Sequence, residues 1–241
     1  MRDVPDATEP DPRRPLADDL ARDLARDLAR DIAGATAAHQ RLSATLAALL
    51  DRPGDVARAP SSLPGWTVGH LLAHVARNAD SHVRMLDAGA RGEVADQYEG
   101  GSDGRAAEIE RDAGRDLAVL VDDVRASSIR LEHAWASMPA GAWAGEGRSV
   151  AGPVALSDLP FRRWRETEVH HVDLGVGHGP ADWPAEYVRL ELARMQMLWA
   201  ARRPMGLTAL PAAALSAAPA TRLAWLLGRA TIDGLEPAGI F

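Results

Sequence analysis

The sequence predicts a mainly α protein, an antiparallel four-helix bundle followed by a small C-terminal α/β domain. Three observations lead there. Four long segments carry apolar residues at helical spacing and are separated by stretches rich in Gly, Pro and Asp. Two of these segments bear histidines and polar partners at corresponding depths, the pattern from which bundles build cofactor sites on facing helices. Beyond Gly175 the character changes to a turn-rich GVGHGPADWP linker and shorter elements.

The opening residues, 1–14, are acidic and proline-rich without an apolar run, and predict a disordered leader rather than a secretory signal. From Leu16, Leu20, Leu24, Leu28 and Ile32 follow at intervals of four with Arg and Asp between them, giving a helix with one buried edge and i,i+4 charge pairs. That helix is expected to run to Leu50, with a bend near Gly34, and to stop at DRPGD. Pro64 and Gly65 make a turn, Thr67 is a good N-cap, and Val68, Leu71, Leu72, Val75 and Ala79 continue at helical spacing. A Gly- and Asp-rich loop from Gly89 to Gly104 precedes a third helix, Arg105 to Ser137, and Met138 to Pro153 reads as connection. The fourth helix spans Leu156 to Asp173, so the bundle covers 15–176. The C-terminal domain, 180–241, contains an amphipathic helix over Ala185–Arg202, a short strand at GLTAL, and a final helix in ATRLAWLLGRA that ends near Gly228.

Composition narrows the function classes. No run of ~20 apolar residues is present to span a bilayer, and a formal net charge of -7 argues against a broad footprint on nucleic acid or anionic lipid. A cytoplasmic location is the default. The chain has no cysteine, which excludes disulfides, thiolate ligands and a thiol nucleophile of its own. Any thiol chemistry needs a thiol from outside. Arginine is abundant and lysine absent, a bias given no functional weight.

The stretch RWRETEVHHVDLG, Arg163 to Gly175, holds the densest chemistry. Residues four apart on a helix lie within about 40° of each other, so Glu166 and His170 can bind one ion together. Glu168 and His171, three apart, are near neighbours as well, and spacing alone does not choose between the pairs. A solvated polar face is an equally good reading. On the second helix His70, His74 and Asn78 share one face, and histidines on two helices suit zinc, which in catalytic sites takes three protein ligands and keeps a fourth position open. His39 and His82 are read as surface residues, and His133 and His178 carry no signal.

LPGWTVGHLLAHVARNAD (Leu63–Asp80) and RWRETEVHHVDLG resemble the two signature segments of the mycothiol-dependent maleylpyruvate isomerases, a family within the DinB-like metal-binding bundle superfamily. The resemblance runs in helix order from Leu16 to about Gly175 and continues into the C-terminal domain. It implies a Zn²⁺ held by His74, Glu166 and His170, with His171 a neighbour rather than a ligand. It also implies mycothiol as the external thiol, and conversion of maleylpyruvate to fumarylpyruvate, a step of gentisate degradation, by reversible addition of a thiolate to the double bond. The family's C-terminal arginine falls on Arg229 of AWLLGRA, implying a catalytic or cofactor-binding role, although the strand that normally precedes it is hard to see in LPAAALSAAPATRL. Asn78 is a candidate for positioning substrate or cofactor, and Asp173 for orienting His170. A mycothiol S-transferase or biosynthetic isomerase of the same superfamily, and a non-enzymatic zinc sensor, are the alternatives. A monomer with small-molecule partners is expected.

Overall fold

The computed structural model describes residues 14–202 and 208–240; most of the expected leader lies outside them. Four helices close a ring. Helix α1 (Arg14–Leu50) packs on α4 (Leu117–Ser137) and α5 (Leu159–Asp173), and α2 (Val68–Ala90) packs on the same two from the other side. The mainly α architecture follows directly from the apolar spacing in these segments. One end of the bundle is filled by Leu42, Leu46, Leu71, Leu72, Leu120 and Val121. The other is filled by larger side chains, including Met85, Trp135, Phe161 and Trp164.

Helix α1 runs unbroken through Gly34, where a notch rather than a bend is required. A Cβ there would come within 2.3 Å of the Trp164 ring, so the missing side chain lets the helix pass over the indole. Helix α2 starts where its cap predicts: Thr67 Oγ1 accepts from the His70 amide, and the His70 ring returns the contact to Thr67.

The expected third helix is two helices. Helix α3 (Gly101–Ala113) ends at Gly114, and Asp116 serves as N-cap of α4. The break is tied to α2, because Gly69 passes so close beneath it that a Cβ would sit 2.2 Å from the Ala113 carbonyl. Within Met138 to Pro153, expected to be plain connection, strand β1 (Glu146–Ser149) begins an antiparallel hairpin with β2 (Gly152–Ala155), in register Glu146↔Ala155. Its Gly and Pro content hides the alternation that announces a strand. The hairpin tip, Ser149 to Ala151, overhangs the α2 surface and walls the cleft described below.

After α5, α6 (Ala185–Ala201), α7 (Ala212–Ser216) and α8 (Pro219–Leu226) form the described C-terminal region. No strand occurs among its described residues; of GLTAL, Thr208–Leu210 are irregular and the rest lie outside the described residues. Tyr187 of α6 packs against Phe161 and Trp164 of α5, and Arg165 is closed by a forked pair with Glu191 at 2.5 and 2.8 Å. Trp225 of α8 extends the same apolar cluster, so α8 is carried on the end of the bundle. No described helix is long and apolar enough to cross a membrane.

The bundle interior is cross-linked by one guanidinium. Arg163 of α5, fully buried, donates to the Val75 carbonyl and Asn78 Oδ1 of α2, to Ser128 of α4 and to His39 Nε2 of α1. A single side chain thus spans all four helices, three residues before Glu166. His39 is therefore a core residue, not a surface one, and so is His82 at 2% exposure. Because His39 Nε2 accepts from Arg163, its proton sits on Nδ1 and is donated to Glu132 at 2.7 Å. Burial lowers the His39 pKa to about 4 against the hydrogen bond that its ring donates to Glu132.

That depression sets a sign. Between pH 6.5 and 4 the unfolded chain binds a proton at His39 that the folded chain refuses, so stability falls as pH falls through this window. Between pH 7 and pH 5 the loss from this one group is about 2 kcal/mol. His39→Gln, which keeps an acceptor but does not titrate, is expected to lose about 2 kcal/mol less than the native protein on that acidification, read as urea midpoints at the two pH values. An identical pH dependence in the two proteins would contradict the buried neutral imidazole.

Candidate metal centre

The candidate site sits at the α2–α5 seam, positioned by the two segments with the clearest sequence signals. The first turn of α2 spends His70 on its cap; the ring holds Thr67 Oγ1 at 2.7 Å and lies 3.4 Å from Glu110. One turn later His74 points into the seam, 3% exposed, with Trp66 packed edge-on against its ring. From α5, Glu166 and His170 face it one turn apart. His74 Nε2 lies 3.0 Å from His170 Nε2 and 3.1 Å from Glu166 Oε2, and His170 Nε2 lies 3.4 Å from the same oxygen.

These three atoms suit a cation better than they suit each other. Two imidazole nitrogens and a carboxylate oxygen at mutual contact share too few protons to satisfy every lone pair. A tetrahedral ion with N and O ligands at about 2.0–2.1 Å holds them about 3.3 Å apart, close to the separations found. The donor set of two imidazoles and one carboxylate fits zinc among the common ions. Among the described residues it is the one His/Cys/Asp/Glu cluster with that closeness.

His74 and Glu166 hold the charge states that a metal ligand needs. Burial lowers the His74 pKa to about 4, so its ring is neutral and its lone pair available. Burial works against the Glu166 charge, but hydrogen bonds to His170 and His74 outweigh it and hold the carboxyl well below its usual range. Burial likewise opposes charge on His170, and hydrogen bonds to Asp173 and Glu166 outweigh it, raising the pKa.

Asp173, 1% exposed at the end of α5, orients this arrangement. Its Oδ2 accepts from His170 Nδ1 at 2.9 Å, which fixes the ring and turns Nε2 to the seam. The same carboxylate takes a forked pair from Arg229, Nε to Oδ1 at 3.1 Å and an Nη to Oδ2 at 2.9 Å. Arg229 follows α8 and is braced by the Leu227 carbonyl at 2.7 Å. It does not line the cleft with the triad. It lines a neighbouring cleft of about 740 Å³ and reaches the triad through Asp173, which lines that cleft too.

The rival pair from the sequence faces elsewhere. Glu168 turns toward α1, accepting from Arg41 and from Trp164 Nε1. His171 Nε2 contacts Thr45 of α1 at 2.7 Å, and its ring stacks on His178 with centroids 3.6 Å apart. Neither approaches His74. Asn78 does line the cleft, yet its side-chain oxygen is committed to Arg163. The cleft itself, about 260 Å³, also draws on His82, which the sequence read as a surface residue, and on Gln97, Tyr98, Arg105, Arg162 and the hairpin tip, which it did not single out. They lie on separate segments and no spacing joins them.

A four-helix bundle with a His–Glu–His cluster on facing helices, open to a cleft, has the arrangement from which helical bundles build open metal sites. The comparisons carry this one step further. Residues 35–175 match the model of the mycothiol maleylpyruvate isomerase N-terminal domain, and the chain belongs to that family. It is similar to the crystal structure of the mycothiol-dependent maleylpyruvate isomerase, with 25% identity and a TM-score of 0.72 over 84% of this chain and 89% of that one. A histidine-to-alanine mutant of that enzyme superposes with the same TM-score of 0.72 at 24% identity. No curated protein matches the sequence.

Proposed function

We propose that the protein is a zinc- and mycothiol-dependent cis–trans isomerase that converts maleylpyruvate to fumarylpyruvate. The observation that carries this reading is the convergence of His74, Glu166 and His170 on a cleft flanked by arginines, in a chain of this family. The lack of any cysteine agrees with a thiol brought from outside.

Zinc at the triad would supply Lewis acidity, keeping a coordinated thiol deprotonated at neutral pH. Mycothiol would supply a thiolate that adds reversibly to the double bond, leaving a single bond about which the substrate can rotate. The chain's own residues do the rest. Glu166 brings the anionic oxygen and His74 a neutral nitrogen, so the set carries one negative charge toward a dication. Asp173 keeps the His170 proton on Nδ1, away from the seam. Trp66 covers the His74 ring on one side and limits water there. Arginines bordering the cleft offset charge that builds on substrate oxygens as the double bond is attacked.

The test is an ultraviolet assay of maleylpyruvate with zinc-loaded protein, in the presence and absence of mycothiol. Isomerisation is expected only with mycothiol. No turnover in the complete mixture would overturn the reading and turn the search to other electrophiles for the same thiol.

A further inference from the structure

Two guanidinium groups at the cleft have no carboxylate within ion-pair distance among the described residues. Arg162, half-buried on α5, forms no hydrogen bond or ion pair among the described residues. Arg165, three residues on, is closed by Glu191 and shows what a satisfied arginine on this helix looks like. Arg105, reaching over from α3, lies 3.2 Å from Nδ1 of the neutral His74 ring and has no carboxylate within ion-pair distance among the described residues. Glu166 is the one carboxylate lining the cleft, and its charge is engaged by His74 and His170.

The opposite wall carries buried polar atoms without partners. The Tyr98 hydroxyl, near Ser81 and Arg105, is buried and completes no hydrogen bond, and Tyr98 is 3% exposed. His82 is 2% exposed with Nδ1 buried and unpartnered. Burial raises the Tyr98 pKa and lowers that of His82 to about 3, so one stays a protonated hydroxyl and the other a neutral ring. Neither brings negative charge to the arginines. Buried polar groups normally find partners, and desolvated guanidinium groups favour carboxylates, which they bind through paired N–H bonds. A cleft of about 260 Å³ restricts the ligand to a short one.

We propose that Arg162 and Arg105, with the Tyr98 hydroxyl and the His82 ring as neutral partners, form a carboxylate subsite beside the triad that selects short unsaturated dicarboxylic acids. The subsite deepens the isomerase reading and rests on it for the identity of the substrate. One carboxylate is held at the arginines, and the chain of the acid then lies across the triad.

The probe is maleate, titrated calorimetrically into the zinc-loaded protein at low ionic strength with no mycothiol present. The native protein is expected to bind it, Arg162→Gln to weaken binding tenfold or more, and Arg162→Lys to recover part of the loss by restoring charge without the fork. Arg105→Gln is expected to weaken binding similarly, with zinc content and helical circular dichroism unchanged in all three. Native affinity in Arg162→Gln, no binding by the native protein at millimolar maleate, or a loss confined to Arg229→Gln would overturn the subsite. Because mycothiol is left out, maleate binding that depends on Arg162 in a protein inactive on maleylpyruvate would sink the isomerase reading and leave the subsite standing.

Discussion

Alanine at His74, Glu166 or His170 is expected to empty the candidate metal centre, whereas alanine at His171 leaves it filled. Each of the first three removes one of only three protein ligand atoms that meet at 3.0 to 3.4 Å. The two survivors cannot hold an open-sided ion as three can. The loss of metal affinity should exceed the roughly 10–100-fold typical of removing an outer partner. His171 contacts Thr45 and stacks on His178, on the far side of α5 from the seam, so its removal costs packing against α1 but no ligand. Elemental analysis after purification and dialysis reads the result directly. Close to one zinc per chain is expected in the native protein and in His171→Ala. Retained zinc in any one of the other three would remove that residue from the ligand set.

A second large effect is expected at Arg229, though it does not face the triad's cleft. Its guanidinium grips both oxygens of Asp173, and one of those oxygens holds His170. Arg229→Ala leaves Asp173 buried with a single partner, free to rotate and to loosen the His170 ring. The variant should keep its zinc yet lose roughly 10–100-fold in kcat/KM. Arg229→Lys should restore little, because an ammonium cannot reproduce the forked pair. Asp173→Asn, which removes the anionic acceptor itself, should weaken metal binding as well as activity. Undiminished turnover in Arg229→Ala would reduce Arg229 to its place after α8. The ordering of the two variants matters: a positioning chain requires the aspartate to affect the metal more than the arginine does.

What could be read from the sequence was what neighbours along the chain decide. Thr67 caps α2 because its hydroxyl meets an amide three residues on, and the helical spacing of Val68, Leu71, Leu72 and Val75 is buried as expected. The i,i+4 offset put Glu166 and His170 on one face, but Glu168 and His171 were nearly as good a pair. The difference lies in α1, whose Arg41 and Thr45, more than 120 residues away in sequence, engage the second pair and leave the first to α2. No local pattern contains that fact.

The same limit explains what was misread. His39 and His82 are solitary in sequence, yet the bundle buries them because Arg163 needs an acceptor from α1 and α2 packs its histidine face inward. The third helix breaks at Gly114 where Gly69 of α2 comes in close, and Gly alone did not distinguish a break from a tolerated helical position. Arg105, Tyr98 and Arg162 meet only because α3, the loop before it and α5 border one cleft. Functional residues gathered from separate loops and helices carry no shared spacing to find.

In the proposed mechanism His74, Glu166 and His170 present an ion to an external thiol. Cobalt replacement tests it most directly, because a thiolate bound to Co²⁺ gives an intense charge-transfer band in the near ultraviolet that nitrogen and oxygen ligands do not. Mycothiol added to the cobalt-substituted protein should raise that band to one equivalent per site, and His74→Ala should abolish it. A cobalt-loaded native protein whose spectrum is unmoved by saturating mycothiol would mean that the thiol does not reach the ion.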